Sequence, residues 1–397
     1  MNKKILVITP KFPLPAAGAC EQERLAGITQ LKRLGNDIRI IAKVFDWQDK
    51  EEIKRWCAEH DINADLLPYS FFARNLSLKL KKLINPEYWD GAAAEYFSLD
   101  IQNKVKEITE EWRPDAVWFD YTYLWPLYKI FKRKKIPVIT RSINFEPVHF
   151  LQEDGFSLMN LIKFAPKLIS EIITVRKSDF IFAITPKEEK IYRRMGAKRI
   201  ATLPLRSLPG LVKRERVILN RDVLHLFFMG AGYSVPHIRK GAEFAIKEVA
   251  PVLEKKAPGK FVLHILGKKL PEDLQRHCVG NVKAEGFVEN LQQFLAEMDI
   301  AVIPSLLGAG MQQKIFEPLC LGIPTVTSPR GLAGYPFSAG EHLLLAKSAE
   351  EYAEQIMKLQ DIELRKRLSK GSLELCNKIF SRDKINEIIR QGLNNIL

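Results

Sequence analysis

Short β-rich runs and helix-length amphipathic runs alternate along this sequence, and the alternation begins twice. "KILVITP" is a buried-strand run, "CEQERLAGITQLKRLG" carries apolar residues at helical spacing and stops on Gly35, and "DIRIIAKV" is a strand again. "RPDAVWFDY", "IPVITRSI", "DFIFAITP" and "RIATLPL" follow, each flanked by a helical stretch. Such alternation predicts parallel βαβ units. Residues 206–222, "RSLPGLVKRERVILNRD", mix Pro, Gly and charge without period and read as a linker. The pattern then restarts with "LHLFFMGAG", "KGAEFAIKEVAPVLEKKAPG" and "KFVLHILG". It continues through "VKAEGFV", "NLQQFLAEM", "DIAVIPS" and "PTVTS", and ends in a helical stretch with a break at Phe380-Ser381. The expected class is α/β, with two Rossmann-like doubly wound domains facing each other across a cleft. Residues 1–208 and 209–378 form the domains, and 379–397 form a terminal helix packing back on the first.

A chain of 397 residues suits two domains. The five cysteines are scattered without a C-x-x-C pair. That pattern excludes a sequence-local zinc motif and predicts free thiols in a reducing compartment. No apolar run approaches the length of a membrane span, and Ile5–Ile8 is too short for a signal peptide. The expected location is therefore the cytoplasm, or the inner face of the plasma membrane. A net charge of +14 calls for an anionic partner, whether nucleic acid, membrane surface or phosphorylated substrate, unless it is a generally solvated basic surface. Nucleic acid is set aside because the basic residues form no recognisable binding motif.

In doubly wound sheets, ligands bind beyond the carboxyl ends of the strands. "DIAVIPS" ends at Ser305, so Leu306–Met311 lies at that edge, with Gly308 and Gly310 able to turn at positive φ and approach a ligand. Backbone amides there and at the next helix start suit a phosphate. Lys314 and Glu317, at i and i+3, share one side of a regular helix. The cation suits a diphosphate and the carboxylate suits ribose hydroxyls. Equally, Glu317 can complement a helix dipole beside a surface lysine. Pro318 predicts that the helix either starts near Glu317, leaving Lys314 in the loop, or is kinked there.

The stretch "VKAEGFVENLQQFLAEMDIAVIPSLLGAGMQQKIFEPLCLGIPTVTSPRGLAGY" resembles the donor-binding half of retaining GT-B glycosyltransferases of the glycosyltransferase family 4 group. The matching residues are Gly286-Phe287-Val288, Pro304, Gly308, Gly310, Lys314, Glu317, Gly322, Pro324, Val326 and Gly331–Gly334. "FMGAGYSVPHIRKGAEFAIKEVAPVL" looks like the first strand and helix of the same domain, and "TPKFPLPAAGACEQERLAGITQLKRLG" like the family's opening strand, glycine loop and first helix. The resemblance implies sugar transfer from a nucleoside-diphosphate sugar to an acceptor hydroxyl with retention. The sugar nucleotide is a co-substrate, and neither cofactor nor metal is implied. Lys314 and Glu317 carry the chemistry. Gly230, Gly286, Phe287, Gly308, Ala309, Gly310 and Met311 surround the donor. Relatives often carry Arg where Ala231 stands, so either Arg239 or Lys240 supplies a second cation, or Lys314 and backbone alone hold the diphosphate. Ala309 replaces an acidic residue, and Ile143 replaces a His.

On the acceptor side the resemblance implies Gly18, Glu21 and Arg24 after the first strand, Asp120, and Asn144 and Glu146 after "VITRSI". Residues 18–24 also read as an ordinary strand-to-helix turn, and 144–146 as a turn before Pro147, which predicts an extended Glu146. The basic amphipathic runs 71–86 and 158–177 suggest contact with an anionic membrane and a saccharide or lipid-linked glycan as acceptor, in cell-surface glycan or glycolipid synthesis. Two alternatives stay open: a sugar-nucleotide epimerase of the same fold, and an inactive relative acting as a binding partner.

Overall fold

Strand β1 (Lys4–Thr9) buries every residue after Lys4. Its side chains alternate between two cores: Ile5 and Val7 pack with Ile40 and Trp118 on one face, Leu6 and Ile8 with Val117 and Phe119 on the other. A strand apolar on both faces belongs in the middle of a covered parallel sheet. The structure, a computed structural model, describes residues 3–69, 85–308 and 310–397. The chain forms two compact units, Met1–Ser207 with Ile385–Leu397, and Leu208–Lys384.

Among the described residues the first unit holds seven strands, β1, β2 (Asp37–Val44), β3 (Asn63–Pro68), β4 (Ala116–Phe119), β5 (Val138–Arg141), β6 (Phe180–Ala183) and β7 (Ile200–Thr202). They lie in the order β3-β2-β1-β4-β5-β6-β7, every neighbouring pair parallel. The chain builds outward from β1 to β3, then returns to the other side of β1 with β4. The order therefore reverses between β1 and β4, which opens a crevice at their carboxyl ends.

The second unit repeats the scheme with β8 (Leu224–Gly232), β9 (Phe261–Lys268), β10 (Val282–Gly286), β11 (Ile300–Ile303), β12 (Thr325–Thr327) and β13 (Leu344–Leu345). Their order, β10-β9-β8-β11-β12-β13, is again all parallel and reverses between β8 and β11. Strands β3 and β13 went unread in the sequence. The first mixes polar and apolar residues, and the second is two residues long.

The break read at Phe380-Ser381 is a double cap. Helix Ile362–Phe380 ends on Ser381, whose φ of −60° and ψ of 154° are extended. The same serine's Oγ then accepts from the Lys384 amide at 3.3 Å and caps Arg382–Asn394. That last helix presents Ile385, Ile389 and Leu393, spaced four apart, to the core of the first unit. Of the two amphipathic runs, 158–177 is one helix, Leu158–Lys177. Residues 71–84 of the other run lie outside the described residues. No helix among the described residues is long and apolar enough to cross a membrane.

Candidate functional site

In the second unit the crevice lies between the ends of β8 and β11. Beside it, next to the last residue of β9, Gly267 has a φ of +139°, which suits glycine alone; a Cβ there would stand 2.1 Å from the Gly230 carbonyl oxygen. A Cβ on Gly230 would meet the Ile238 side chain at 2.3 Å. These two glycines let β8, β9 and the helix Pro236–Phe244 close together. Beyond β11, Gly308 turns at φ +96°, and a Cβ would sit 2.7 Å from the Gln312 amide nitrogen and 3.6 Å from the His237 ring. The Gln312 side chain ties this loop by donating to the Leu307 carbonyl at 2.9 Å. Gly310 also has positive φ, 71°.

Helix Gln313–Cys320 follows. It begins four residues ahead of Glu317, which corrects the reading that placed Lys314 in the loop. Pro318 sits inside this short helix. Only the Lys314 carbonyl loses its helical donor, and Ile315, Phe316, Leu319 and Cys320 are buried, so packing outweighs one missing hydrogen bond. Lys314 thus stands in the first turn, half-buried, its Nζ 5.4 Å from the centre of the Phe228 ring. Glu317, one turn later, accepts from Gln313 Nε2 at 3.3 Å. Burial pushes its carboxyl above the usual range, against the Gln313 hydrogen bond.

Other expected donor residues are dispersed. Arg239 pairs with Asp273 at 2.9 Å, both about half exposed, and Lys240 is exposed. The structure therefore gives Arg239 an acidic partner of its own on the surface. Gly286 closes β10 at φ 69°, and Phe287 is exposed with Lys268 Nζ 4.2 Å from its ring centre. Met311 is buried, and Ala309 lies outside the described residues. Two residues escaped the sequence reading. His237 lies beside Gly308, and Arg330 donates to the Leu306 carbonyl at 2.9 Å, bringing a cation to the glycine loop. Arg330 stands just ahead of the Gly331–Gly334 pair, so its neighbourhood was visible in sequence and its reach was not.

The corresponding crevice of the first unit is lined by a buried ion network. Glu23, fully buried, accepts from Arg141 Nε and Nη2 at 3.1 and 2.9 Å and from Arg206 Nε at 2.8 Å. Asp120, also fully buried, accepts from Arg206 Nη2 at 3.2 Å and Trp118 Nε1 at 2.9 Å. Both of these bonds go to Oδ1, and the other carboxylate oxygen, Oδ2, is buried without a hydrogen-bond partner. Gly18 is the N-cap of Ala19–Arg33 without a side-chain cap, and Glu21 pairs with Lys11 at 2.7 Å. Burial acts to raise the Glu21 carboxyl, but the Lys11 hydrogen bond and charge outweigh it and hold it low. Arg24 is buried over the Tyr121 ring, 5.4 Å from its centre. The Tyr121 hydroxyl donates to Glu146. Glu146 is helical rather than extended, because it opens Glu146–Asp154 with Pro147 in the first turn, where a missing N–H costs nothing. The Asn144 carbonyl accepts from Ser142 Oγ at 3.0 Å. Tyr121 thus brings Arg24 and Glu146 together, while Glu21 is held by Lys11.

Behind Glu146 lie two buried acids. Glu171 accepts from Thr122 Oγ1 at 2.9 Å and from the Glu146 amide at 3.2 Å; burial, reinforced by the Glu146 charge, pushes it up to about 8. Glu188 accepts from the Phe145 amide at 2.9 Å, and burial pushes it up to about 7. A carboxyl raised on folding holds its proton in the folded state and releases it in the unfolded one. Its stabilising contribution is complete below the ordinary pKa of 4.5 and is lost as pH rises through the folded value. The melting temperature of the wild type is expected to fall between pH 5 and 8, and Glu171→Gln to flatten that fall. Equal slopes in thermal unfolding of the two proteins would show that Glu171 does not carry its proton into the folded state.

Residues 224–361 match the family described as Glycosyl transferases group 1. No curated protein matches the chain. Among solved structures the chain is similar to Anabaena HepE in complex with UDP and glucose, at 16% identity, covering 99% of this chain and 100% of that one with a TM-score of 0.66. It is also similar to a sucrose-phosphate synthase from Thermosynechococcus elongatus, at 16% identity, 99% of both chains and a TM-score of 0.70. The S. aureus protein TarM, in a mutant form with Fondaparinux, alpha-GlcNAc-glycerol and UDP, gives 11% identity, 99% and 100% coverage and a TM-score of 0.68. At such identities the likeness is one of fold: two parallel sheets with flanking helices, as in GT-B glycosyltransferases. The family match falls wholly within the second unit.

Proposed function

We propose that this protein transfers a sugar from a nucleoside-diphosphate sugar to an acceptor hydroxyl, with retention at the anomeric carbon. The observation that carries the reading is the loop of Gly308 and Gly310 beyond β11, at the reversal of the second sheet and inside the matched domain, with Lys314 in the next helical turn. Loop amides and a helix start favour a diphosphate. Charge accumulates on that group as the sugar departs, so fixed donors and a cation stabilise the transition state more than the ground state. Lys314 supplies that cation, with Arg330 beside the loop. Glu317 takes ribose hydroxyls. The protein's own cations neutralise the leaving group, so turnover is expected without a divalent metal. The test is a calorimetric screen of sugar nucleotides and free nucleoside diphosphates, followed by NMR of the product's anomeric configuration with and without chelator. Absence of binding to every nucleoside diphosphate sinks the donor reading, and an inverted product sinks retention.

We further propose that the acceptor is a saccharide, carried on a lipid at an anionic membrane surface and used in cell-surface glycan or glycolipid synthesis. Supporting this, Phe156, Leu158, Met159, Leu161 and Ile162 at the start of helix Leu158–Lys177 are all at least half exposed, with Lys163 beside them. Contiguous exposed apolar side chains mark an interaction surface. Basic residues add attraction to anionic lipid that falls with salt. Co-sedimentation with anionic vesicles at low salt is expected, weakened by Leu158→Asp or by raised salt. Equal binding to neutral and anionic vesicles, or to neither, is the contrary outcome.

A further inference from the structure

Of the three buried arginines at the β1/β4 crevice of the first unit, two are ion-paired and one is not. Arg24, Arg141 and Arg206 are buried there, against the buried carboxylates Glu23 and Asp120. Glu23 bonds to both Arg141 and Arg206, and Asp120 to Arg206, so two cations and two anions are mutually paired. Arg24 is the fifth charge. It is 5% exposed, its Nε has no hydrogen-bond partner, and among the described residues it forms no ion pair; the Asp120 carboxylate, already bonded to Arg206, favours its charge only from a distance. Its contact is with the face of Tyr121. Glu146, close by, is joined to the Tyr121 hydroxyl rather than to Arg24, and Glu21 is joined to Lys11. Cys20 and Tyr123, which also surround Arg24, are held neutral chiefly by burial.

Burying a charge without an opposite one is costly, and a cation over one aromatic ring recovers only part of that cost. A protein retains such an arrangement where a ligand completes it, and functional sites are where it concentrates. The position agrees: Arg24 lies in the second turn of the helix after β1, and Tyr121 follows β4, so they mark the reversal point of this sheet.

We propose that Arg24 binds an oxyanion on the acceptor, so that the acceptor class is a saccharide bearing a phosphate or carboxylate group. This rests on the transferase reading, which names the first unit as the acceptor side. The anion itself is recognised by charge and by the guanidinium fork, whose two-pronged geometry fits either group.

The test uses the full chain. UDP is first added alone, and a rise in melting temperature reads the donor site independently of Arg24. With UDP at saturation, sodium phosphate, glucuronate and glucose are then titrated at constant ionic strength. Wild type is expected to gain about 2–4 °C with phosphate or with glucuronate and nothing with glucose. The anion that stabilises tells a phosphorylated acceptor from a uronic one. Arg24→Met is expected to melt higher than wild type without anion, because a buried cation that has no ion pair is gone, and to lose the anion-dependent shift. A lower melting temperature for Arg24→Met, or failure to fold, makes Arg24 a structural cation and overturns the proposal. So does an anion shift that is equal in both proteins or absent from wild type. Failure of UDP alone to stabilise counts against the donor reading and leaves the Arg24 comparison intact.

Discussion

Glu23→Gln is expected to lower the melting temperature of the first unit by roughly 6–20 °C. Glu23 is shared by Arg141 and Arg206, is buried with both, and also accepts the Arg206 amide. Glutamine keeps the shape and removes the charge. Arg141 still reaches the carbonyls of Leu203 and Pro204, and Arg206 keeps Asp120, so neither loses every hydrogen bond. What they lose is the counter-charge. Removing one partner of a buried ion pair costs about 3–5 kcal/mol, because the other charge stays in a medium that cannot solvate it. For a unit of this size each kcal/mol corresponds to roughly 2–4 °C. Thermal unfolding followed by circular dichroism checks it, and a fall of under about 3 °C would mean that water reaches these arginines.

Lys314→Ala is expected to weaken UDP binding by about 1.5–3 kcal/mol, the range for a hydrogen bond to a charged group. That corresponds to roughly 10–150-fold in Kd. The loss in kcat is expected to exceed the loss in UDP affinity, since the diphosphate carries more charge as the bond to the sugar breaks. Glu317→Gln is expected to weaken nucleoside diphosphates and to leave inorganic pyrophosphate unaffected, because the proposed partner is ribose. Isothermal titration separates the two roles. Unchanged UDP affinity in both variants would falsify the assignment of the donor loop.

Much of the fold was legible in order. "DIRIIAKV" and "LHLFFMGAG" are strands over their quoted lengths, and the break after Phe380 lies where it was read. Continuous β-branched and aromatic runs signal a parallel strand covered on both faces, and that signal is local. Lys314 and Glu317 were legible as a pair, but the start of their helix was misplaced. A proline rule works on one hydrogen bond, while the position of this helix is set by four buried side chains. The exposed apolar turn from Phe156 to Ile162 was read only as part of an amphipathic run, because periodicity shows that a helix has two faces and not which of them is covered.

The sequence by itself determined the α/β class and the residue types available at the glycine loop. These follow from residue types and spacings within a few turns of chain. Tertiary structure alone decided charge partnership. Glu23 meets Arg141 and Arg206 across sequence separations of 118 and 183 residues, Asp120 turns inward, Arg239 turns to Asp273, and Arg24 is left with a ring. The physical reason is range. Hydrophobic periodicity acts along the chain, whereas the worth of a charge depends on burial and on partners that only the sheet order brings within about 3 Å.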